Sequence, residues 1–322
     1  MNNEDKERVN LSVVLTTYKR DKILCEVLNQ LLNQNHLPLE IIVIDQTKNH
    51  DPDTKIILAN LTRENKIKYI YQDLPHANMA RNRGAREAKC EIILILNDDI
   101  IIDSNLIWAH YVNYKDQTLA AVSGQVLEKT EEATDKLPSQ YYRKYTGWIH
   151  FPLNFSKRVK VINLNACNLS IRREIFIEVG GFDENFIKTY FDDTDLSLRV
   201  HNLCLKKGLK TVHDPEASII HLMAPTSVGE NRPSGKNEYV IADSDAWLTW
   251  LYFFLINFGL CASWEILLRL RRCVFRKKNI LKPCYLWKAC LEFIIGIQKA
   301  LELIKNGRKL GFSKGRYAQG LY

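Results

Sequence analysis

Four short apolar runs, each followed by a stretch of helical length, constrain this chain more than any other feature. They are residues 11–16 (LSVVLT), 40–45 (EIIVID), 67–71 (IKYIY) and 91–97 (EIILILN). Three of the four carry almost no polar alternation, the pattern of strands covered on both faces, as in parallel sheets. Residues 21–33, 55–63, 77–88 and 104–114 fill the intervals with helical length. In the first of these, Leu24, Val27, Leu28 and Leu31 recur at helical spacing. Alternating strands and helices predict βαβ units, and so an α/β fold with a mostly parallel sheet.

The rhythm breaks over residues 128–160, which are polar and then aromatic (Tyr141, Tyr142, Tyr145, Trp148) and receive no element. Beyond it, residues 164–171 read as a strand. A helix is expected from about Asp193 to Lys207, stopped by Gly208. Short strands are expected at 210–213 and 218–221. Residues 224–238 (APTSVGENRPSGKNE) have loop composition. There Arg232 is either a lid residue that reaches a bound diphosphate or part of a solvated linker.

In doubly wound sheets, ligands bind at the carboxyl ends of the strands. Three of the four strands end in polar residues: Thr16-Thr17-Tyr18, Asp45-Gln46-Thr47 and Asn97-Asp98-Asp99. One such ending is an ordinary turn; three on one edge suggest a site. Adjacent Asp98 and Asp99 suit a hard cation such as Mg²⁺ or Mn²⁺, which neutralises a departing diphosphate. Asp192-Asp193-Thr194-Asp195 is either an acidic helix start, favoured by the helix dipole, or the source of a general base. No GxGxxG follows the first strand, which excludes the usual dinucleotide fingerprint.

The stretches LSVVLTTYKR, LEIIVIDQT, ANMARNRGAREAKCEIILILNDDI, NACNLSIRREIFIEVGGFDENF and FDDTDLSLRV, in this order over about residues 11–221, resemble family 2 glycosyltransferases of the GT-A fold. The resemblance implies an inverting, metal-dependent transfer from a nucleotide diphosphate sugar, most readily a UDP-sugar, to a saccharide or lipid-linked acceptor. It implies that Thr16, Tyr18 and Asp45 contact the nucleotide, that Arg81 lies near its base or diphosphate, and that Asp98 faces the ribose. Asp99 would ligate Mn²⁺ or Mg²⁺, and Asp193 would be the catalytic base. His221 stands where some relatives place a metal ligand, or is an ordinary half-buried histidine. Asn168 contacts the donor sugar or pins a loop. Asn97, Gln46 and Asp192 depart from the family's usual Asp, Asp and Glu. The rival expectation is a non-catalytic nucleotide-sugar-binding or scaffold subunit of a polysaccharide assembly.

Charge divides the chain. Residues 263–322 hold 14 Lys/Arg against 3 Asp/Glu, whereas the residues before them hold 31 against 34. The surplus therefore belongs to the tail, where it attracts an anionic membrane surface or nucleic acid; no nucleic-acid module accompanies it. Residues 246–264 lack charge and are rich in aromatics. They are expected to lie in a membrane interface, to pack on the catalytic domain, or to span. Residues 286–304 form an apolar helix with a narrow polar stripe of Lys288, Glu292, Lys299 and Glu302. The expected organisation is a polar lead (1–10), a catalytic domain (11–240, donor half to about 127) and a basic, aromatic helical tail (241–322). The N-terminus lacks a signal-peptide pattern and the eight cysteines lack a CxxC pair. A cytoplasmic protein, peripheral on the inner membrane face, is expected.

Overall fold

The computed structural model describes residues 6–136, 142–143, 148–149, 151–187, 191–224, 244–259, 263–275 and 280–312. The first half alternates as its sequence predicts: β1 (Arg8–Thr17), α1 (Asp21–Leu32), β2 (Leu37–Asp45), α2 (Pro52–Arg63), β3 (Lys68–Tyr71), α3 (Ala77–Glu87) and β4 (Ile92–Asn97). There follow β5 (Ile100–Ile102), α4 (Leu106–Tyr111) with a 3₁₀ turn (Val112–Lys115), and β6 (Leu119–Glu128). Short strands β7 (Tyr142–Arg143), β8 (Trp148–Ile149) and β9 (Val159–Lys160) lead to β10 (Asn168–Arg172), α5 (Arg173–Glu178), α6 (Asp192–Lys207) and β11 (Lys210–His221). The tail forms α7 (Ser244–Phe258), α8 (Ser263–Cys273) and α9 (Pro283–Asn306).

The main sheet runs β3-β2-β1-β4-β10-β6-β11-β5, with β9 also paired to β11. β3, β2, β1 and β4 are mutually parallel, β10 is reversed between β4 and β6, and β11 is parallel to β6. The strand interiors are buried on both faces: Val13, Leu15 and Leu94 pack with α1, and Val14, Ile93 and Ile95 lie in the opposite layer with Ala80 and Ala85 of α3. That two-sided burial is what the unbroken apolar runs encode. Local signals set the helix ends. Asp51 accepts from the Thr54 N–H at the start of α2, and Gly208 closes α6 with φ of +68°.

Three sequence expectations change. β6 lies in the middle of the sheet yet escaped prediction, because Ser123-Gly124-Gln125 interrupts its apolar pattern; partners on both sides supply what the sequence lacks. Residues 210–213 and 218–221 are one strand, β11, whose register shifts between Asp214 and Ser218. The strand expected over 164–171 begins only at Asn168.

The uncharged aromatic segment packs on the protein. Trp247, Trp250, Leu251, Tyr252, Phe253 and Phe254 of α7 are buried with Phe186, Leu198 and residues of α9. Glu292 of α9 accepts from the Ser244 N–H at 2.7 Å, and a side chain at Gly296 would meet Trp247 Cβ at 2.4 Å. Among the described residues no helix is long and apolar enough to cross a membrane. The outer faces differ. Trp287, Leu291, Ile294 and Leu301, spaced i, i+4, i+7 and i+14, are all exposed, as are Trp264, Leu267 and Phe275 around α8.

Candidate active site

The carboxyl ends of β1, β2 and β4 lie side by side, since Thr16 pairs with Ile44 on one side and with Asn97 on the other. Thr16 and Tyr18 stand at the end of β1. Asp98 and Asp99 follow β4 directly, and both are buried. Thr17 Oγ1 donates to Asp98 Oδ2 at 2.7 Å. Arg20 Nη1 is 2.5 Å from Asp98 Oδ1 and 3.3 Å from Asp99 Oδ1, while its Nη2 donates to Ala224 O. Burial raises the Asp98 carboxyl above the usual range, and repulsion from Asp99 adds to this; Arg20 and Thr17 oppose it.

His221 ends β11, where it pairs with Ile100 of β5, and this register brings its Nε2 to 3.2 Å from Asp99 Oδ1. Burial pushes the Asp99 carboxyl up, but His221 and Arg20 more than reverse the effect and hold it below the ordinary value. The donor chemistry fits a divalent ion. A carboxylate oxygen and an imidazole nitrogen 3.2 Å apart are close enough to ligate one divalent ion together. Among the described residues no third His, Cys, Asp or Glu joins them.

The acidic turn of α6 faces this edge through one arginine. Arg81 Nη1 donates to Asp192 Oδ2 at 3.0 Å and to Asn78 Oδ1, and Nη2 lies 3.5 Å from Asn97 Oδ1. The guanidinium thus ties the start of α6 to the residue that precedes Asp98 and Asp99. Asp193 follows Asp192 with its Oδ1 buried and unbonded among the described residues. Burial pushes its carboxyl up to about 7, repulsion from Asp192 adds to this, and Arg81 and the Ala166 backbone oppose it. A half-ionised carboxyl with an unpaired oxygen near neutral pH is suited to take a proton.

Asp45 is fully buried. Its Oδ1 accepts from the Thr47 N–H at 2.7 Å, Tyr69 donates to Oδ2, and His50 Nε2 is 2.7 Å from Oδ2. Asn168 is fully buried as well. Its Nδ2 donates to Gln125 O and Ala217 O and its Oδ1 meets His110 Nε2, so the amide locks β10 to β6, β11 and α4. Of the two roles expected for Asn168, this geometry serves the pinning one. Arg232 lies outside the described residues.

Sequence reasoning missed Arg20 and His50, and placed Thr17 in a polar strand end without foreseeing its bond to Asp98. Arg20 carried a usable signal, a cation just past the first strand at the edge where a diphosphate was expected. His50 carried none, because it meets Asp21 and Asp45 only through the fold.

A glycosyl transferase family 2 model matches residues 12–180, just over half of the chain, and takes in most of β1 and all of β2 to β10 and α5. The chain belongs to glycosyl transferase family 2. It is similar to the glycosyltransferase GlyG of Streptococcus pneumoniae, with 30% identity over 115 residues, and to a GalNAc(5)-diNAcBac-PP-undecaprenol beta-1,3-glucosyltransferase of Campylobacter jejuni, with 35% over 94 residues. These matches cover 35% and 28% of the chain but only 38% and 29% of the two relatives, so they speak for a shared region rather than for whole proteins. The fold resembles the mannosyltransferase PcManGT of Pyrobaculum calidifontis, solved with GDP-Man and Mn²⁺. The TM-score is 0.52 at 15% identity, over 93% of this chain and 79% of that one. At that identity the likeness speaks for the GT-A fold alone.

Proposed function

We propose that this family 2 chain is a metal-dependent inverting glycosyltransferase, moving a sugar from a nucleotide diphosphate donor, a UDP-sugar, to a hydroxyl of a saccharide or lipid-linked acceptor. The observation that carries the reading is the Arg81 bridge. It joins the acidic turn of α6 to the Asn97-Asp98-Asp99 edge, which supports reading the raised carboxyl and the candidate metal pair as parts of one site. In this reading Thr16, Tyr18 and Asp45 line the nucleotide end, and Asp98 faces the ribose once Arg20 yields to it. Asp99 and His221 hold Mn²⁺ or Mg²⁺, which supplies neutralising charge for the leaving diphosphate. Asp193 accepts the acceptor's hydroxyl proton as that oxygen attacks the anomeric carbon. The bond from that carbon to the phosphate oxygen breaks on the opposite face, which inverts the configuration. Arg20 and Arg81 add positive charge where the diphosphate departs.

The tail reading rests on the exposed apolar rows of α8 and α9 together with the Lys/Arg surplus of residues 263–322. Aromatic and aliphatic side chains turned outward beside basic ones suit an anionic membrane surface. The enzyme is then peripheral on the inner face, beside a lipid-linked acceptor; the Campylobacter relative is itself named for an undecaprenol-linked substrate.

The test pairs two variants with calorimetry. Asp193→Asn is expected to lower transfer at least about 10²-fold while Mn²⁺-dependent UDP binding persists. Asp99→Ala is expected to weaken that binding. Near-normal turnover in the first variant, or unchanged affinity in the second, refutes the corresponding role.

A further inference from the structure

The turn that carries Asp193 is held on both sides by the tail. Phe191, just ahead of α6, has φ of +64°, a left-handed conformation that is strained for a bulky residue and so needs its surroundings to hold it. Its ring stacks on Phe253 of α7 with centroids 4.8 Å apart and meets Phe254 edge-on at 6.1 Å. Two residues past Asp193, the fully buried Asp195 receives Arg199 Nε at 2.9 Å, Asn257 Nδ2 at 2.9 Å and Arg308 Nη1 at 2.5 Å. Arg199 belongs to α6 itself. Asn257 stands in the last turn of α7, and Arg308 comes from the strand-like segment just after α9.

Arg308 joins these parts. Its Nη2 donates to Asn257 Oδ1 at 2.9 Å, and its Nη1 also lies 3.4 Å from Asp183 Oδ2. Asp183 in turn accepts from Tyr252 of α7 at 2.7 Å and from the Lys309 N–H at 3.1 Å. The same segment is fastened further along. Leu310 bridges to Asp183, the Phe312 N–H donates to Gly180 O, and Arg86 of α3 donates to Gly311 O at 2.7 Å. Gly180 and Gly181, at φ of +87° and +70°, bring the backbone against Leu310 and Phe312, where a side chain would come within 3 Å of either.

We propose that Arg308, acting with Asn257, is a positioning residue for sugar transfer: the two ends of the tail fix the residues flanking Asp193 and so set where its carboxylate meets the acceptor hydroxyl. This rests on the reading of Asp193 as the base. Arg308 touches no reacting atom, and the donor edge of β1, β2 and β4 is built without it. Its loss leaves Asp195 buried with one fewer cation and leaves Asn257 Oδ1 without its donor, so the first turn of α6 shifts while the nucleotide site stays. A displacement of about 1 Å is enough to cost roughly 10²-fold in rate.

The test measures kcat, donor KM and Mn²⁺-dependent UDP affinity for Arg308→Met, Arg308→Lys, Asn257→Leu and the Arg308→Met/Asn257→Leu pair in the full chain. The expected result for Arg308→Met is a fall in kcat of about 10–100-fold, with donor KM and UDP affinity within about twofold of the parent. Arg308→Lys keeps the charge on Asp195 but loses the bond to Asn257, and is expected to recover part of the rate. The double variant is expected to lose less than the product of the two single losses, because the residues share one contact. Unchanged kcat in Arg308→Met overturns the proposal. So does a parallel loss of kcat and UDP affinity, the signature of general loosening. If Arg308→Met does not fold, Arg308→Lys decides: a native circular dichroism spectrum with unchanged kcat overturns it. Asp193→Asn assayed alongside separates the two ideas. Turnover by that variant sinks the base assignment, whereas its inactivity beside normal Arg308 variants sinks only the clamp.

Discussion

Asp193 holds a carboxyl that burial and Asp192 raise to about 7, and two pH effects follow. As a base it must be ionised, so kcat is expected to rise with pH through about 7 and then level; a flat profile from pH 5 to 8 refutes this. For stability the sign runs the other way. An unfolded aspartate titrates near 3.9, so between about 4 and about 7 the native chain holds a proton that the unfolded chain lacks. The associated stability is full below about 4 and is lost as pH rises through about 7. Asp193→Asn escapes that loss, so its metal-free thermal midpoint is expected to exceed the parent's by more at pH 8 than at pH 5. The reverse order counts against a buried, raised Asp193. Asp98, Asp99 and the acidic turn that holds Asp193 were legible as candidates because they follow a strand or start a helix, and a single sequence marks such ends; His221, and Asp193 within its turn, were singled out by the family resemblance. Arg20, His50 and Arg308 were not, because each acquires its meaning from a carboxylate that only the fold brings to it: Asp98 for Arg20, Asp21 and Asp45 for His50, and Asp195 for Arg308.

At the scale of elements, α3 sets the reach of Arg81 by lying flat on β1. A side chain at Gly84 would sit 2.3 Å from Val14 Cγ1, and Val14 is fully buried. Gly84→Ala is therefore expected to destabilise by about 1–3 kcal/mol, read as a lower urea midpoint. Adding Val14→Ala, which vacates the space, is expected to return part of it. If Val14→Ala only adds to the loss, the helix is not held off by that contact. The same close approach explains the missed β6. A side chain at Gly124 would come within 2.2 Å of Asn168 Nδ2 and 2.4 Å of Ala217 O. A glycine that reads as a loop signal is there because two neighbouring strands and the Asn168 amide crowd it. Helices with clear periodicity, such as α1 with its buried Leu24, Val27, Leu28 and Leu31, needed no such context.

For the whole molecule, the tail presents two faces. α7 is interior to the protein, so cutting the chain before it would expose Trp250, Leu251 and Phe253 and confound any binding test. Substitution on the outer face avoids this. The intact chain is expected to float with anionic liposomes, and Leu281→Ser with Trp287→Ser, both strongly exposed, is expected to lower that binding at least about tenfold, given about 1.5–3 kcal/mol per buried apolar side chain. High salt is expected to weaken it further. Equal flotation of parent and variant rejects the surface.

The linear chain by itself determined the α/β character, the alternation of strands and helices along the first half and the identity of the acidic turns, because apolar periodicity and turn residues act over a few positions. It also determined that the tail is basic and aromatic. Only the tertiary structure decided which face of that tail turns inward, that Arg81 yokes α6 to the β4 edge, and that Arg308 returns to Asp195 across 113 residues. Pairing between distant charged groups depends on where the backbone has already carried them, and a buried carboxylate accepts whichever cation the fold delivers.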